Sequence, residues 1–333
     1  MPSVLDPLTI RSLRTRNRFV LPPMGTRKAA ADGSVTDDIL KHYSMLSEGA
    51  GIVVIEHTYV SDKGRAPMNQ LGVSHDRFIP GLMKLTKTVH GKGAATVLQI
   101  NHVGYNSKSQ ITGRPPMAPS AIRNPMNEKA ELPKPMTREE IQEQVEAFSS
   151  AASRAVTAGF DGVEVHCSHG FLLGEFLSPI TNKRTDEYGG DTENRIRFPV
   201  QVIRSVRQSV GSNYPVFCRF PASDLMPGGL ELPEIITMAK TIVKAGVDVV
   251  DIGGGVGGIE PPGPKEQGFF VPQAEAVKKA TGAVVVGVGG IVDPSFADRL
   301  VREGRVNLVA IGRPLLKDPQ WFTKAIQTLT ART

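Results

Sequence analysis

The chain of 333 residues has only two cysteines, Cys167 and Cys218. Two thiols cannot build a disulfide scaffold or hold an iron–sulfur cluster, and usage this sparse fits a reducing compartment, so a cytoplasmic location is expected. Long hydrophobic runs are missing too. The longest, such as 283–288, are far too short to span a bilayer, so no membrane association is expected. The start, MPSVLDPLTI, lacks the basic region and apolar stretch of a secretion signal. Aromatic residues are scarce, at 6%, and no basic stripe is interleaved with them, which argues against a nucleic-acid partner. Net charge is +6, from 39 basic and 33 acidic side chains. That is a solvated surface with a slight positive bias, which would also favour anionic substrates. Internal repeats, low-complexity tracts and linkers are absent, so one domain over 1–333 is expected.

What the chain does have is a succession of short apolar runs separated by amphipathic segments. The runs are Phe19–Leu21, Gly51–Ile55, Ala95–Gln99, Gly162–His166, Val216–Phe220, Val247–Ile252, Val284–Val288 and Leu308–Ile311. Between them, Thr137 and Glu140 form a capping-box pair, followed by Ile141, Val145, Phe148, Ala152 and Ala155 on one helical face. Asp293-Pro294 and Leu232-Pro233 read as further helix starts. Eight strand–helix units predict an α/β fold, a closed (β/α)8 TIM barrel. The alternative is a doubly wound open sheet, which would gather its glycine-rich polar turns at one switch point. Here such turns follow strands all along the chain. Leu8–Ile10 and Leu13–Thr15 predict an N-terminal hairpin cap on the barrel floor. The proline-rich stretch from Asn101 to Pro135 predicts a long excursion after the third strand, forming a lid or wall.

The stretch from Val163 to Arg197 organises the rest. It begins as a buried strand and sets His166 and His169 at the strand's carboxyl edge, where a barrel places its chemistry. The other strand ends bring Gln99, His102, Arg219 and glycine turns at Gly253–Gly258, Gly287–Gly290 and Gly312-Arg313. No serine sits in a nucleophile elbow. No lysine ends a strand as a Schiff-base former would, Lys28 being the nearest, which disfavours an aldolase-type barrel. Gly253-x-Gly255-x-x-Gly258 matches the dinucleotide fingerprint, but Pro261, Pro262 and Pro264 leave no helix to receive a pyrophosphate. A metal at His166-x-x-His169 would need a third ligand, and only Glu164 or Glu175 offers, so no metal is expected. A buried Arg219 must be paired, and the one acid obviously placed for it is Asp224. Glycine turns after the last two strands suit a phosphate. With an amide and an arginine, they suggest a planar electron-accepting cofactor with a phosphate tail, such as FMN.

Four motifs then carry a specific likeness: HCSHG at His166–Gly170, FLSPITNKRTDEYGGDTENRIRF at Phe176–Phe198, FCRFPASD at Phe217–Asp224 and GRPLLKDP at Gly312–Pro319. Over nearly the whole chain it resembles the old yellow enzyme family of FMN-dependent ene reductases, in a short form without an iron–sulfur cluster. The resemblance implies FMN reduced by NADPH or NADH, then reduction of an electron-poor C=C bond in a small molecule by ping-pong hydride transfer. Homo-oligomerisation is compatible with it. It implies Pro23, Met24, Gly25 and Thr26 along the flavin, His57 near it by backbone, Gln99 on the pyrimidine ring and Arg219 beside the reducible ring end. Gly289, Gly290, Gly312 and Arg313 would hold the phosphate, and His166 and His169 the substrate oxygen. The chain departs from the family at Phe171, where a proton-donating tyrosine is usual. Tyr105 and Arg27 are the candidate replacements, Tyr105 the better. A flavin enzyme needing no such acid, such as an isomerase, a nitro or quinone reductase or a dehydrogenase, is the alternative.

Overall fold

The computed structural model describes residues 1–66 and 68–331. Eight parallel strands close into a barrel: β1 (Phe19–Leu21), β2 (Ile52–Tyr59), β3 (Ala95–Asn101), β4 (Gly162–His166), β5 (Val216–Pro221), β6 (Val249–Gly253), β7 (Val284–Gly287) and β8 (Leu308–Ala310). Each strand pairs with its sequence neighbours, and β8 returns to β1, so no sheet edge is left open. This is the expected TIM barrel. Strands buried on both faces must be apolar outward against the helices, and the outward residues Val53, Leu98, Val163, Cys218, Phe220, Val250 and Val285 belong to the core that the helices cover.

The inward residues change character along the barrel axis. At the floor, Val20, Ile52, Val54, Val97, Phe217, Val249, Val286 and Leu308 form a separate apolar cluster. Ile10 and Leu13 of the N-terminal hairpin, strands Leu8–Ile10 and Leu13–Thr15, plug it from below. Two residues further along the strands, the inward positions are Gln99, Glu164, Arg219 and Asp251, all buried. Side chains alternate with period two along a strand. Val97 and Gln99, Phe217 and Arg219, and Val249 and Asp251 therefore share a face, and polarity rises toward the carboxyl mouth.

Helices cover the outside. The longest, Arg138–Thr157, begins with the expected capping box: the Thr137 hydroxyl accepts from the Glu140 N–H, and the Glu140 carboxylate from the Thr137 N–H. Asp293 caps the helix Pro294–Arg302. The excursion after β3 is ordered and contains a small parallel pair, Met117–Ala118 with Lys134–Pro135, that the run of prolines concealed. No helix among the described residues is long and apolar enough to cross a membrane.

Candidate active site

Two cavities open at the carboxyl mouth. One lies between the ends of β7 and β8 and the barrel axis, with about 300 Å³ of free volume. Its lining includes Pro23, Met24, His169, Arg219, Gly289, Gly290, Gly312 and Arg313, eight of the residues the sequence singled out. The other lies against the ends of β2 and β3, with about 420 Å³, and is lined in part by Gly25, Arg27, His57, Lys108 and Phe171.

The glycines of the β7–β8 cavity are there for close approach. Gly289 has φ +130°, and a Cβ on it would lie 2.7 Å from the Phe269 backbone nitrogen and 2.9 Å from that of Phe270. No residue with a side chain fits that turn. Gly312 packs under the Met24 sulfur and Pro22. Arg313 faces this cradle, and its guanidinium is paired with Glu260 at 2.8 Å. Glu260 sits on the glycine- and proline-rich loop after β6, which starts no helix until Val271. The dinucleotide fingerprint is thus a loop over the cavity.

The Arg219 guanidinium donates to Asp251 at 2.6 Å. This corrects the expectation of Asp224, which instead accepts from the Ser178 hydroxyl and the Leu230 N–H. Arg219 and Asp251 are register partners on adjacent strands, a pairing that only the tertiary structure sets. Arg219 Nε is buried without a partner. Gln99 donates to Glu164 at 2.7 Å. Burial, and then the charge of Asp251, push the Glu164 carboxyl well above its usual range, so it stays protonated beside the Arg219–Asp251 pair. Buried, unpartnered Arg219 Nε and a glycine cradle facing Arg313 fit a cofactor with a polar ring edge and a phosphate.

His166 and His169 stand 3.4 Å apart, Nε2 to Nδ1. His169 takes the left-handed conformation, φ +58°, and is held by a reciprocal pair with Gly254: its N–H donates to the Gly254 carbonyl, and the Gly254 N–H to its Nε2. A non-glycine residue so strained at a strand end is worth about 1–3 kcal/mol of stored cost, which surrounding contacts must hold. Burial keeps both imidazoles well below the usual histidine range, so both are neutral at pH 7. The Ser168 N–H donates to His166 Nδ1, so the His166 proton is on Nε2. Gly254 occupies His169 Nε2, so its proton is on Nδ1. Two N–H groups therefore converge on one region, where an oxygen acceptor can take both.

Several sequence expectations move. Tyr105 is buried, lines neither cavity, and its unpartnered hydroxyl lies under Gly170, where a Cβ would collide with it. It is not placed to give a proton to a ligand in either cavity. Thr26 lines neither, because both its N–H and hydroxyl are bound by Glu56. His57, expected to act by backbone, presents its ring: it lies tilted by 45° against Phe171 at 5.4 Å and its Nε2 faces Gly25. Phe171 in turn lies 4.8 Å from the His166 ring.

The architecture so far is a barrel that fits a phosphorylated, ring-shaped redox cofactor beside an oxygen-binding pair of imidazoles. The chain belongs to the NADH:flavin oxidoreductase / NADH oxidase family, whose model matches residues 3–331. It is 39% identical over 331 residues to an NADH oxidase of Thermoanaerobacter brockii, covering 97% of this chain but 50% of that protein. The chain thus spans half the length of that relative. It is 37% identical to an NADPH dehydrogenase of Geobacillus sp. (strain WCH70), covering 98% of this chain and 94% of the other. Among solved structures it is similar to an old yellow enzyme homologue from Zymomonas mobilis, with a TM-score of 0.84 and 26% identity over 97% of this chain and 93% of the other. The family's cofactor is FMN, with NADH or NADPH as reductant.

Proposed function

We propose that the protein is an FMN-dependent oxidoreductase that uses NAD(P)H to reduce the C=C bond of an enone- or enal-type small molecule. The observation that carries this reading is the convergence of the His166 Nε2–H and His169 Nδ1–H beside the cavity holding Arg219. FMN, when bound, supplies the site that accepts hydride from the nicotinamide and passes it on. Gly289, Gly290, Gly312 and Arg313 would hold its phosphate. Pro23 and Met24 would lie along its ring, and Gln99 and Arg219 at the ring's polar edge. Arg313 would exchange Glu260 for the phosphate.

The imidazole pair binds the substrate carbonyl oxygen. As the β-carbon is reduced, negative charge gathers on that oxygen, and two fixed donors stabilise it more than they stabilise the ground state. Being neutral, the imidazoles act as hydrogen-bond donors rather than acids.

One observation favours a second reading. Phe171 has no proton to give and Tyr105 is out of reach, so the lining lacks a tyrosine acid for the α-carbon. A nitro or quinone reductase needs no such carbon acid and would use the same oxygen site.

Stopped-flow mixing of the FMN-loaded protein with NADPH and with NADH should bleach the flavin absorbance. Subsequent 2-cyclohexenone should restore it and give cyclohexanone. Bleaching by neither nucleotide would remove the first half-reaction and the reading with it. Bleaching followed by reoxidation with nitroaromatics or quinones but never with enones selects the second reading.

A further inference from the structure

The β2–β3 cavity has a one-sided lining. Each side-chain oxygen of the Glu56, Gln70 and Asn106 lining already accepts a hydrogen bond from within the protein. The Glu56 carboxylate takes the Thr26 N–H at 2.8 Å and the Thr26 hydroxyl at 2.6 Å. Gln70 Oε1 takes the Ala66 N–H at 2.8 Å, and Asn106 Oδ1 takes the Asn124 amide at 2.8 Å. Three donors in the same lining are not occupied. Gln70 Nε2 donates to His57 Nδ1 at 2.8 Å, which leaves the His57 proton on Nε2 with no protein acceptor. The side chains of Arg27 and Lys108 have no hydrogen bond or ion pair among the described residues.

Arg27 is also strained, with φ +56°. Its neighbours fix it there: Thr26 is anchored on Glu56, and the Lys28 N–H donates to the Thr26 hydroxyl. A left-handed arginine on a pinned loop, aimed at a cavity, is an outlier that calls for a ligand rather than a turn. Burial holds His57 near pH 4, so it is a neutral donor under ordinary conditions.

We propose that this cavity is a carboxylate-binding subsite, in which Arg27, Lys108 and the His57 Nε2–H receive an anionic group carried by the substrate. The proposal rests on the reductase reading above and narrows its substrate to electron-poor alkenes bearing a carboxylate. Donors without acceptors match a group that only accepts, and a carboxylate offers two oxygens for them. Phe171 ties the subsite to the oxygen-binding pair, because its ring touches both His166 and His57. A substrate with its carbonyl at the imidazole pair lies along that ring toward Arg27. The rival occupant is the pyrophosphate of the nicotinamide dinucleotide.

The test is calorimetric titration of the oxidised, FMN-loaded protein, without reductant, with 3-oxocyclohexene-1-carboxylate and with its methyl ester. The acid should bind about tenfold more tightly at low salt. That preference should fall as salt rises, because both cations, Arg27 and Lys108, are solvent-exposed. The R27Q/K108Q double variant should abolish the preference. Equal binding of acid and ester, or a preference the double variant keeps, overturns the subsite. So does a double variant that weakens NADH and NADPH binding instead, since that assigns the cations to the dinucleotide. Turnover of neutral 2-cyclohexenone separates the two readings: if it is reduced while acid and ester bind alike, the subsite fails and the reductase stands.

Discussion

At the residue scale, Phe171 sets the problem. Its ring is wedged between His57 and His166, where a tyrosine hydroxyl would project from the same plane. Phe171→Tyr should therefore place an acid beside the bound alkene, and general acid catalysis is worth about 10²–10⁴ in rate. We expect flavin reoxidation by 2-cyclohexenone to speed up at least about a hundredfold, the low end of that effect. Stopped-flow reoxidation at matched enone concentration checks it; an unchanged rate would mean that solvent already protonates the α-carbon fast enough.

His102 offers a second test at this scale. It is buried, its Nδ1 accepts the Gly104 N–H, and its Nε2 has no partner. Burial pushes its pKa down to about 3 from the ordinary 6.5. A histidine depressed in the folded state binds protons more readily when unfolded. Its contribution is fully present above pH 6.5 and is lost as the pH falls toward 3, at about 1.4 kcal/mol per unit. In His102→Asn the amide oxygen can replace Nδ1 as acceptor, but nothing there titrates. The urea midpoint of the natural protein should fall relative to that of the variant between pH 7 and 5. A constant difference between the two across that range counts against the depressed imidazole.

At the scale of elements, the turn after β7 is the most demanding. Gly289 combines φ +130° with backbone nitrogens under 3.0 Å from any added Cβ. The neighbouring carbonyl of Gly289 also accepts from Gly268, which ties the long β6 loop to the turn. Gly289→Ala should cost about 1–3 kcal/mol of local strain. It should show first as lost FMN, read from the ratio of flavin to protein absorbance after gel filtration, before any loss of helical circular dichroism. Full retention of FMN would show that the cradle is not where the phosphate sits.

At the scale of the whole molecule, β8 pairing with β1 closes the chain on itself. We propose that the described barrel unfolds as one unit. The single tryptophan, Trp321, packs edge-on against Phe19 of β1 at 5.6 Å and so reports that seam. Its fluorescence and far-ultraviolet circular dichroism should lose signal at the same urea concentration. Excess FMN should move both midpoints upward together, because a ligand of the folded state stabilises it by mass action. Separate transitions would show that the seam opens before the helices melt.

Much of this was legible in the sequence because it depends on local chemistry. Alternating apolar runs set the eight strands, Thr137 and Glu140 the longest helix start, and strand-end position alone picked out His166, His169 and Arg219. Other features were not legible because they depend on which strands become neighbours. Asp251 becomes the partner of Arg219 only through the β5–β6 register. Tyr105 leaves the site because the excursion after β3 folds its ring beneath Gly170. His57 enters by its ring because Gly25, 32 positions earlier, has no Cβ to exclude it. Periodicity and turn chemistry are written within a few residues, so the chain alone determined the barrel and its working end. Which donors were left without acceptors was settled only when distant side chains met, since a hydrogen bond forms between neighbours in space and not in sequence.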